Sequence, residues 1–361
     1  MHLSYLKLQN FRNFAELQLS DIAPGLSTVA APNGSGKSNL LEAVFLLATG
    51  FSNRTTQLNE SIRWGQKLAR IEGTVDSTRL AIVIQPSGKQ LFVNEKPVDL
   101  KNFRSHLYAV SFQPTDLNLL AGSPQLRRTY LNRLLGQLDL EYLHTLLEHR
   151  RLAKHRNLLL KQTSPDLELM DVIEDKTAQL AADIYRTRVA VIANINRLLI
   201  EPGIKLHYQP SPRGLREIET ADAGNVARFL REKTRGLREK EREIGFSLIG
   251  PQRDDFEVFV PDSTADGGSK NVGVYGSRGQ QRLAIVHLKL AESQLLEEKT
   301  SPEPSEGTGT PPMLLLDDVL SELDAEHQKL LFDRLDSRQT FLTGTELKGA
   351  LPNNHSNLQV F

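Results

Sequence analysis

The residues with the clearest chemistry lie together at Ala31-Pro32-Asn33-Gly34-Ser35-Gly36-Lys37-Ser38, followed by Asn39. A glycine-rich stretch ending in Gly-Lys-Ser is the pattern of a phosphate-binding loop. Glycine permits the tight turn that aims successive backbone N–H groups at one anion. A helix opening directly after the loop adds the positive end of its dipole. In that arrangement Lys37 reaches the β- and γ-phosphates and the Ser38 hydroxyl ligates Mg²⁺. The expected nucleotide is ATP. The first loop position holds Ala31 where the pattern has glycine, which is unstrained only if its φ stays negative.

A second acidic site lies far along the chain. Met313-Leu314-Leu315-Leu316-Asp317-Asp318 is an apolar run closed by two carboxylates. A buried strand would carry both acids to its C-terminal edge, where open α/β sheets bind ligands. Asp317 suits Mg²⁺, and Asp318 suits polarising an attacking water. Ser277-Arg278-Gly279-Gln280-Gln281 heads a predicted helix and offers another anion-binding N-terminus. The chain's own loop already serves one set of phosphates. This second helix is therefore expected to cap the ATP of another subunit, although Ser277 is also an ordinary helix cap.

These sites need a scaffold, and the periodicity supplies one. Residues 3–19 alternate as two antiparallel strands around Asn10-Phe11-Arg12-Asn13. Leu26 to Ala30 reads as a buried strand before the loop, and Leu40 to Leu47 as the helix after it. A strand meander is expected over 69–75, 80–85 and 90–94, turning at Pro86-Ser87-Gly88, with another strand at 108–113. From Ser123 to Ile200 apolar residues recur at helical spacing, giving two or three helices with a break near Thr163-Ser164-Pro165. A strand at 204–208 and a helix at 225–243 follow. A hairpin is expected from 256–260 and 271–275 around Asp266-Gly267-Gly268, then a helix at 278–298 and strands at 313–316 and 340–343. Thr300 to Pro312 has the composition of a mobile surface loop. The layout predicts an α/β head made of residues 1–118 and 246–361, with a mainly helical lobe, residues 119–245, inserted between them.

Composition narrows the class. The chain is 39% hydrophobic and 24% charged, as in a globular protein with a sizeable core. Lys+Arg and Asp+Glu are equal at 44 each, so any polyanion surface must come from local clustering. There is no cysteine, which excludes disulfides and thiolate metal sites. No apolar run approaches a membrane span, and the first residues lack the pattern of a signal peptide. A cytoplasmic protein with no membrane partner is expected.

Taken together, the strings resemble the ABC-type ATPase heads of DNA maintenance proteins, and among them the RecF family of bacterial recombination mediators. The resemblance rests on Asn10-Phe11-Arg12-Asn13-Phe14, the 33–38 loop and Phe112-Gln113-Pro114. It extends to Gly250-Pro251-Gln252-Arg253-Asp254-Asp255, the 277–281 string and Asp317-Asp318-Val319-Leu320-Ser321-Glu322-Leu323-Asp324. It spans nearly the whole chain and implies an α/β ABC-type head with mixed sheets. It implies Gln113 as a Q-loop residue sensing Mg²⁺ and water, catalytic with Lys37 and Asp318. Ser277, Gly279 and Gln280 would be signature residues that reach a partner's ATP, Asp317 the Walker B acid, Asp324 a D-loop residue, and Arg12 a phosphate contact. Two further departures stand out. Gln252 occupies a position often held by histidine, and Asp318 is one methylene shorter than the glutamate of most relatives outside the family. Slow hydrolysis is expected, and Thr343 or Thr345 would replace the usual switch histidine.

For the substrate, Arg127, Arg128, Arg133, Arg150, Arg151, Lys154, Arg156 and Lys161 cluster in the helical lobe with few acids between them. Such a cluster would neutralise DNA phosphates with little regard to sequence. The alternative is a solvated helix face with i,i+4 partners. The resemblance implies an ATP-dependent homodimer on duplex DNA, gapped DNA or ss/dsDNA junctions. It also implies cooperation with RecR and RecO in loading RecA, supporting gap repair, replication restart and SOS induction. Two other classes share part of the pattern: a transporter motor domain, and a non-catalytic scaffold stabilised by ATP.

Overall fold

A computed structural model describes residues 1–199, 203–215, 222–262, 268–301, 309–323, 325–333, 335, 338–345, 351, 355–358 and 360. The chain opens with β1 (Leu3–Phe11), β2 (Phe14–Leu19), β3 (Leu26–Ala30), α1 (Lys37–Thr49), β4 (Ala69–Val75), β5 (Thr78–Gln85), β6 (Gly88–Val93), β7 (Lys96–Val98), α2 (Leu100–Arg104) and β8 (Ala109–Phe112). The middle holds α3 (Asn118–Ala121), α4 (Pro124–Leu138), α5 (Leu140–Leu160), α6 (Leu167–Leu198), β9 (Lys205–Gln209), α7 (Ala223–Ile244), β10 (Asp255–Pro261), β11 (Ser269–Asn271) and α8 (Val272–Tyr275). The end holds α9 (Arg278–Thr300), β12 (Met313–Asp317), α10 (Ala325–Phe332), β13 (Thr340–Gly344) and β14 (His355–Asn357).

Two compact units result, one from residues 1–116 and 285–361, the other from 117–284. The first unit is the α/β head. Its outer sheet is antiparallel, in the order β2-β1-β4-β5-β6-β7, and contains the expected hairpin and meander. Its inner sheet runs β14-β3-β13-β12-β8, with every described pairing parallel. The strands of this sheet are short apolar runs, as both-face burial requires. Leu314, Leu315, Leu316, Phe341 and Leu342 are fully buried. Helix α1 lies in the same core as both sheets: Leu40, Val44, Leu46 and Leu47 cluster with Leu6, Ile71 and Ile82 and with Leu315 and Phe341. A helix apolar on nearly every side is one that is buried all round.

The second unit is the lobe. Its three long helices α4, α5 and α6 match the expected helical stretch, with the break between α5 and α6. The return to the head differs from the expected boundary at residue 246, because residues up to Ala284 stay with the lobe. Backbone pairing is the reason: β10 lies between β9 and β11 in an antiparallel sheet of the lobe itself. The hairpin is also shorter than expected, since Val272–Tyr275 forms a helical turn instead of extending β11. Part of its turn, and residues 302–308 of the Pro/Ser/Gly-rich stretch, lie outside the described residues. Among the described residues, no helix is long and apolar enough to cross a membrane.

Candidate functional site

The parallel sheet brings the head's chemistry to one edge. Strands β3, β13, β12 and β8 all point the same way. Their C-terminal ends therefore deliver the 31–36 loop, Thr343, Asp317-Asp318 and Gln113 to the same side.

The loop is built by its neighbours. Ala31 N–H donates to the Gly344 carbonyl at 3.2 Å, extending the ladder with β13. Ala31 is absent from the positive-φ residues, so alanine sits there without strain. Gly34 and Gly36 do take positive φ, 81° and 114°. A Cβ on Gly36 would collide with the side-chain amide of Asn13, so both conformation and space require glycine. Asn13 itself braces the loop: its Nδ2 donates to the Ser35 carbonyl at 2.8 Å, and its Oδ1 accepts from Asn39 Nδ2 at 2.7 Å. Pro32, Asn33 and Gly34 are exposed, and Ser38 and Asn39 half-buried in the first turn of α1.

Lys37 is buried, and its Nζ donates to the Ala31 and Pro32 carbonyls at 2.5 and 2.9 Å. Neutral backbone oxygens are weaker partners for an ammonium than phosphate oxygens, so this cation can exchange them for a polyanion. The Ser35 hydroxyl is buried and has no hydrogen-bond partner. A buried orphan acceptor and donor beside Lys37 fits a phosphate oxygen.

At the end of β12, Asp317 is 7% exposed and its Oδ1 accepts from Thr343 Oγ1 at 2.8 Å. The Asp318 N–H donates to the Thr343 carbonyl at 3.1 Å, and Asp318 takes a left-handed φ of 50°. Thr343, fully buried, thus orients both acids, while Thr345 just beyond it is exposed. Gln113 is half-buried beyond β8; its N–H donates to Asp116 Oδ2 at 2.8 Å. Ser38, Asp317 and Gln113 offer an all-oxygen donor set, which suits a hard cation such as Mg²⁺. Asp324 lies outside the described residues.

Arg12 departs from its expected phosphate contact. Its Nε and one terminal nitrogen grip Glu42 at 2.9 and 2.8 Å, and the other terminal nitrogen donates to the Glu60 carbonyl at 3.0 Å. Glu42 is fully buried on α1 and also accepts from Ser52 Oγ at 2.5 Å. A buried carboxylate needs such partners, so Arg12 is tied to α1 in this structure. Sequence reasoning missed Glu42. The signal was there: one acid inside the apolar run Leu40–Leu47 implies a buried counter-charge.

The Ser277 string belongs to the other unit. Ser277 Oγ accepts from the Gln280 N–H at 3.2 Å, and Gln280 Oε1 accepts from the Ser277 N–H at 3.1 Å. This reciprocal capping box fixes the start of α9. Ser277, Arg278 and Gly279 remain exposed.

The basic cluster of the lobe divides. Arg127 is a correction: buried, it forms a two-point bond to Asp255 at 2.7 and 2.8 Å and donates to the Gly122 carbonyl at 2.8 Å. Arg156 is another, 2% exposed and held by Glu174 at 2.8 Å and Glu241 at 2.6 Å. Neither presents its charge to DNA. Arg128 is half-buried and donates to the Asp254 carbonyl at 2.8 Å. Arg150, Arg151 and Lys154 are exposed on α5.

The Gly250–Asp255 string proves to be lobe architecture. Gly250 has φ 118°, closed to other residues. Asp254 is buried and accepts from Arg188 at 2.6 Å, from Tyr208 OH and from the Ser211 N–H at 2.8 Å. Gln252 donates to the Ile249 carbonyl at 2.7 Å.

A glycine-rich loop ending in Gly-Lys-Ser after one parallel strand, paired carboxylates after another and a glutamine after a third, all at one sheet edge, have the layout of an ABC-type ATPase head. Residues 2–347 match the family model described as the RecF/RecN/SMC N-terminal domain. The chain is 36% identical over 386 aligned positions to the DNA replication and repair protein RecF of Exiguobacterium sp., covering 100% of this chain and 97% of that protein. It is 34% identical over 377 positions to the RecF of Halalkalibacterium halodurans, covering 99% and 96%. A solved structure of the recombination mediator protein RecF with ATP, from the RecFOR pathway, superimposes with a TM-score of 0.85 at 26% identity, covering 99% of this chain and 95% of the other. The chain belongs to the RecF family of DNA replication and repair proteins.

Proposed function

We propose that this chain is an ATP-dependent DNA clamp of recombinational repair. The observation that carries this reading is the gathering of Lys37, Ser38, Gln113, Asp317 and Asp318 at one edge of the parallel sheet. Lys37 leaves its backbone carbonyls for the β- and γ-phosphates of ATP, and Ser35 and the first-turn N–H groups of α1 complete the cradle. Ser38, Asp317 and Gln113 would hold Mg²⁺, which when bound neutralises charge on the phosphates. Thr343 keeps Asp317 aimed at the edge. Asp318 orients the attacking water and accepts its proton, slowly because its reach is short.

The exposed Ser277–Gly279 start of α9 is the natural complement for the γ-phosphate of a second copy. ATP then joins two heads around duplex or gapped DNA, and hydrolysis opens them. DNA stimulates this weak ATPase, which works as a switch. Its relatives' place in the RecFOR pathway supports RecR, RecO and RecA as partners at ss/dsDNA junctions, within the cytoplasm.

Sedimentation velocity with ATP, ADP and no nucleotide tests this reading. Lys37→Met abolishes the ATP-dependent dimer, Asp318→Asn traps it, and Ser277→Arg blocks it while the monomer still binds ATP. A Lys37→Met dimer that forms normally with ATP removes the loop from the assembly.

A further inference from the structure

The head carries one aromatic side chain that its core does not use. Trp64, the single tryptophan of the sequence, is 98% exposed. It occupies the second position of a reverse turn: the Gln66 N–H donates to the Arg63 carbonyl at 3.0 Å, and Gly65 takes φ 79° at the third position. That is the type II pattern, which needs a positive φ there. The turn is anchored, because Arg63 N–H donates to the Asn10 carbonyl at 2.8 Å and Ile62 bridges to Phe11 of β1. A rigid base therefore holds a large indole fully in water, forgoing the burial such a ring normally gains.

The surroundings select the ligand. Among the described residues of the head unit, the other exposed large hydrophobic is Leu68, at 38%. A protein-binding hot spot needs a ring of packed neighbours to exclude water, and Trp64 has no such patch around it. The segment Ser61–Arg70 contains Arg63, Lys67 and Arg70 and no carboxylate. Arg70 is spent on Glu72, while Lys67 is exposed and Arg63 half-buried. One isolated π-face flanked by cations is the minimal binding unit for an unpaired nucleobase and its phosphates. The base of an ATP on the loop is the poorer candidate: Asn13 touches the P-loop, whereas the segment that pairs with Arg12 at Ser61 has moved back along β1 to Asn10 by Arg63.

We propose that Trp64 stacks on an unpaired base, so that the head distinguishes the single-stranded side of a junction from plain duplex. The proposal rests on the DNA-clamp reading and adds to it the residue that senses unpaired strand. Since the chain has one tryptophan, emission excited beyond tyrosine absorption reports on this one side chain. The full chain is titrated with oligodeoxythymidylate, a blunt duplex and a duplex with a single-stranded overhang, each with and without a non-hydrolysable ATP analogue. Anisotropy of labelled DNA gives the affinities in parallel. Oligodeoxythymidylate and the overhang quench Trp64, and blunt duplex does not. Trp64→Ala weakens the overhang roughly five- to 150-fold and spares blunt duplex, whereas Trp64→Phe keeps most of the affinity. Binding of overhang DNA with unchanged emission overturns the stacking and leaves the clamp standing. Quenching by the ATP analogue without DNA also overturns it, because the ring then meets nucleotide or a second copy. Failure to bind any of the three DNAs sinks the clamp reading together with this one.

Discussion

The head's edge and the lobe's interior use the same residue types for opposite ends. At the edge, Lys37 is held by two backbone carbonyls, and Asp317 by a threonine hydroxyl. In the lobe, Arg127 is matched to Asp255, Arg188 to Asp254, and Arg156 to Glu174 and Glu241. A lysine on neutral oxygens gives them up when a polyanion arrives. A buried arginine on a carboxylate cannot move without stranding an opposite charge. The edge is therefore responsive and the lobe interior fixed.

The most severe test of that contrast is Asp254→Ala. It leaves Arg188, 1% exposed, without its carboxylate and removes the acceptor of Tyr208 OH and the Ser211 N–H. The expected loss is about 3–5 kcal/mol, read from urea unfolding midpoints. Asp318→Asn, at the half-buried edge, keeps a residue type that tolerates the left-handed φ of 50° and shifts the midpoint little while removing turnover. Equal shifts for the two variants would erase the distinction between a fixed interior and a responsive edge.

Acid provides the next largest effect. His149 on α5 is 2% exposed, and burial first, then Arg188 and Arg150, lower its pKa from 6.5 to about 4. The unfolded chain binds this proton more readily than the folded one. Its contribution is intact above pH ~6.5 and is lost as pH falls toward ~4, about 3 kcal/mol in all. Urea midpoints at pH 7 and pH 4.5 should separate accordingly, and His149→Gln should flatten the difference. A slope that survives the substitution assigns acid sensitivity to other groups.

These effects also mark what the sequence could and could not disclose. The P-loop, Asp317-Asp318 and Gln113 were legible because each follows an apolar strand-like run, and strand direction alone then gathers them. The antiparallel meander over 69–93 was legible for the same reason, since alternation and Pro86-Ser87-Gly88 mark it locally. Arg127 and Arg156 were misread, because a cation's partner 128 or 18 residues away leaves no local trace. The lobe's boundary was misplaced at 246 on similar grounds: β10 pairs with β9 across the whole of α7. Arg12 lay in between. Its position in a turn beside the loop was readable, but its grip on Glu42 depended on recognising one acid in an apolar helix.

At the edge itself the expected effects are smaller. Thr343→Val keeps the shape of a fully buried residue and deletes the donor to Asp317 Oδ1. The cost is about 1–2 kcal/mol, the penalty for a buried acceptor left short of a partner. Calorimetric titration should show weaker binding of ATP with Mg²⁺ and a smaller change for ATP with EDTA. Equal losses in both titrations would mean that Thr343 supports the loop through β13 and does not position the metal-binding acid.

The gentlest perturbation is on α5, where Arg151 and Lys154 are exposed while Arg156, two residues further on, is 2% exposed. Helical spacing puts Arg151 and Lys154 on one side of α5 and turns Arg156 toward Glu174 and Glu241. Removing both exposed cations, Arg151→Ala with Lys154→Ala, should leave the unfolding midpoint in place. If that face meets DNA phosphates, the slope of log affinity against log salt becomes shallower by about 1 for each phosphate no longer neutralised. Arg156→Ala should do the reverse, destabilising the lobe by removing the cation from buried Glu241 and one of the two arginines on Glu174. A double variant with an unchanged salt slope would take Arg151 and Lys154 out of the duplex-binding surface, leaving exposed Arg150 as the cation of α5 still to be tested.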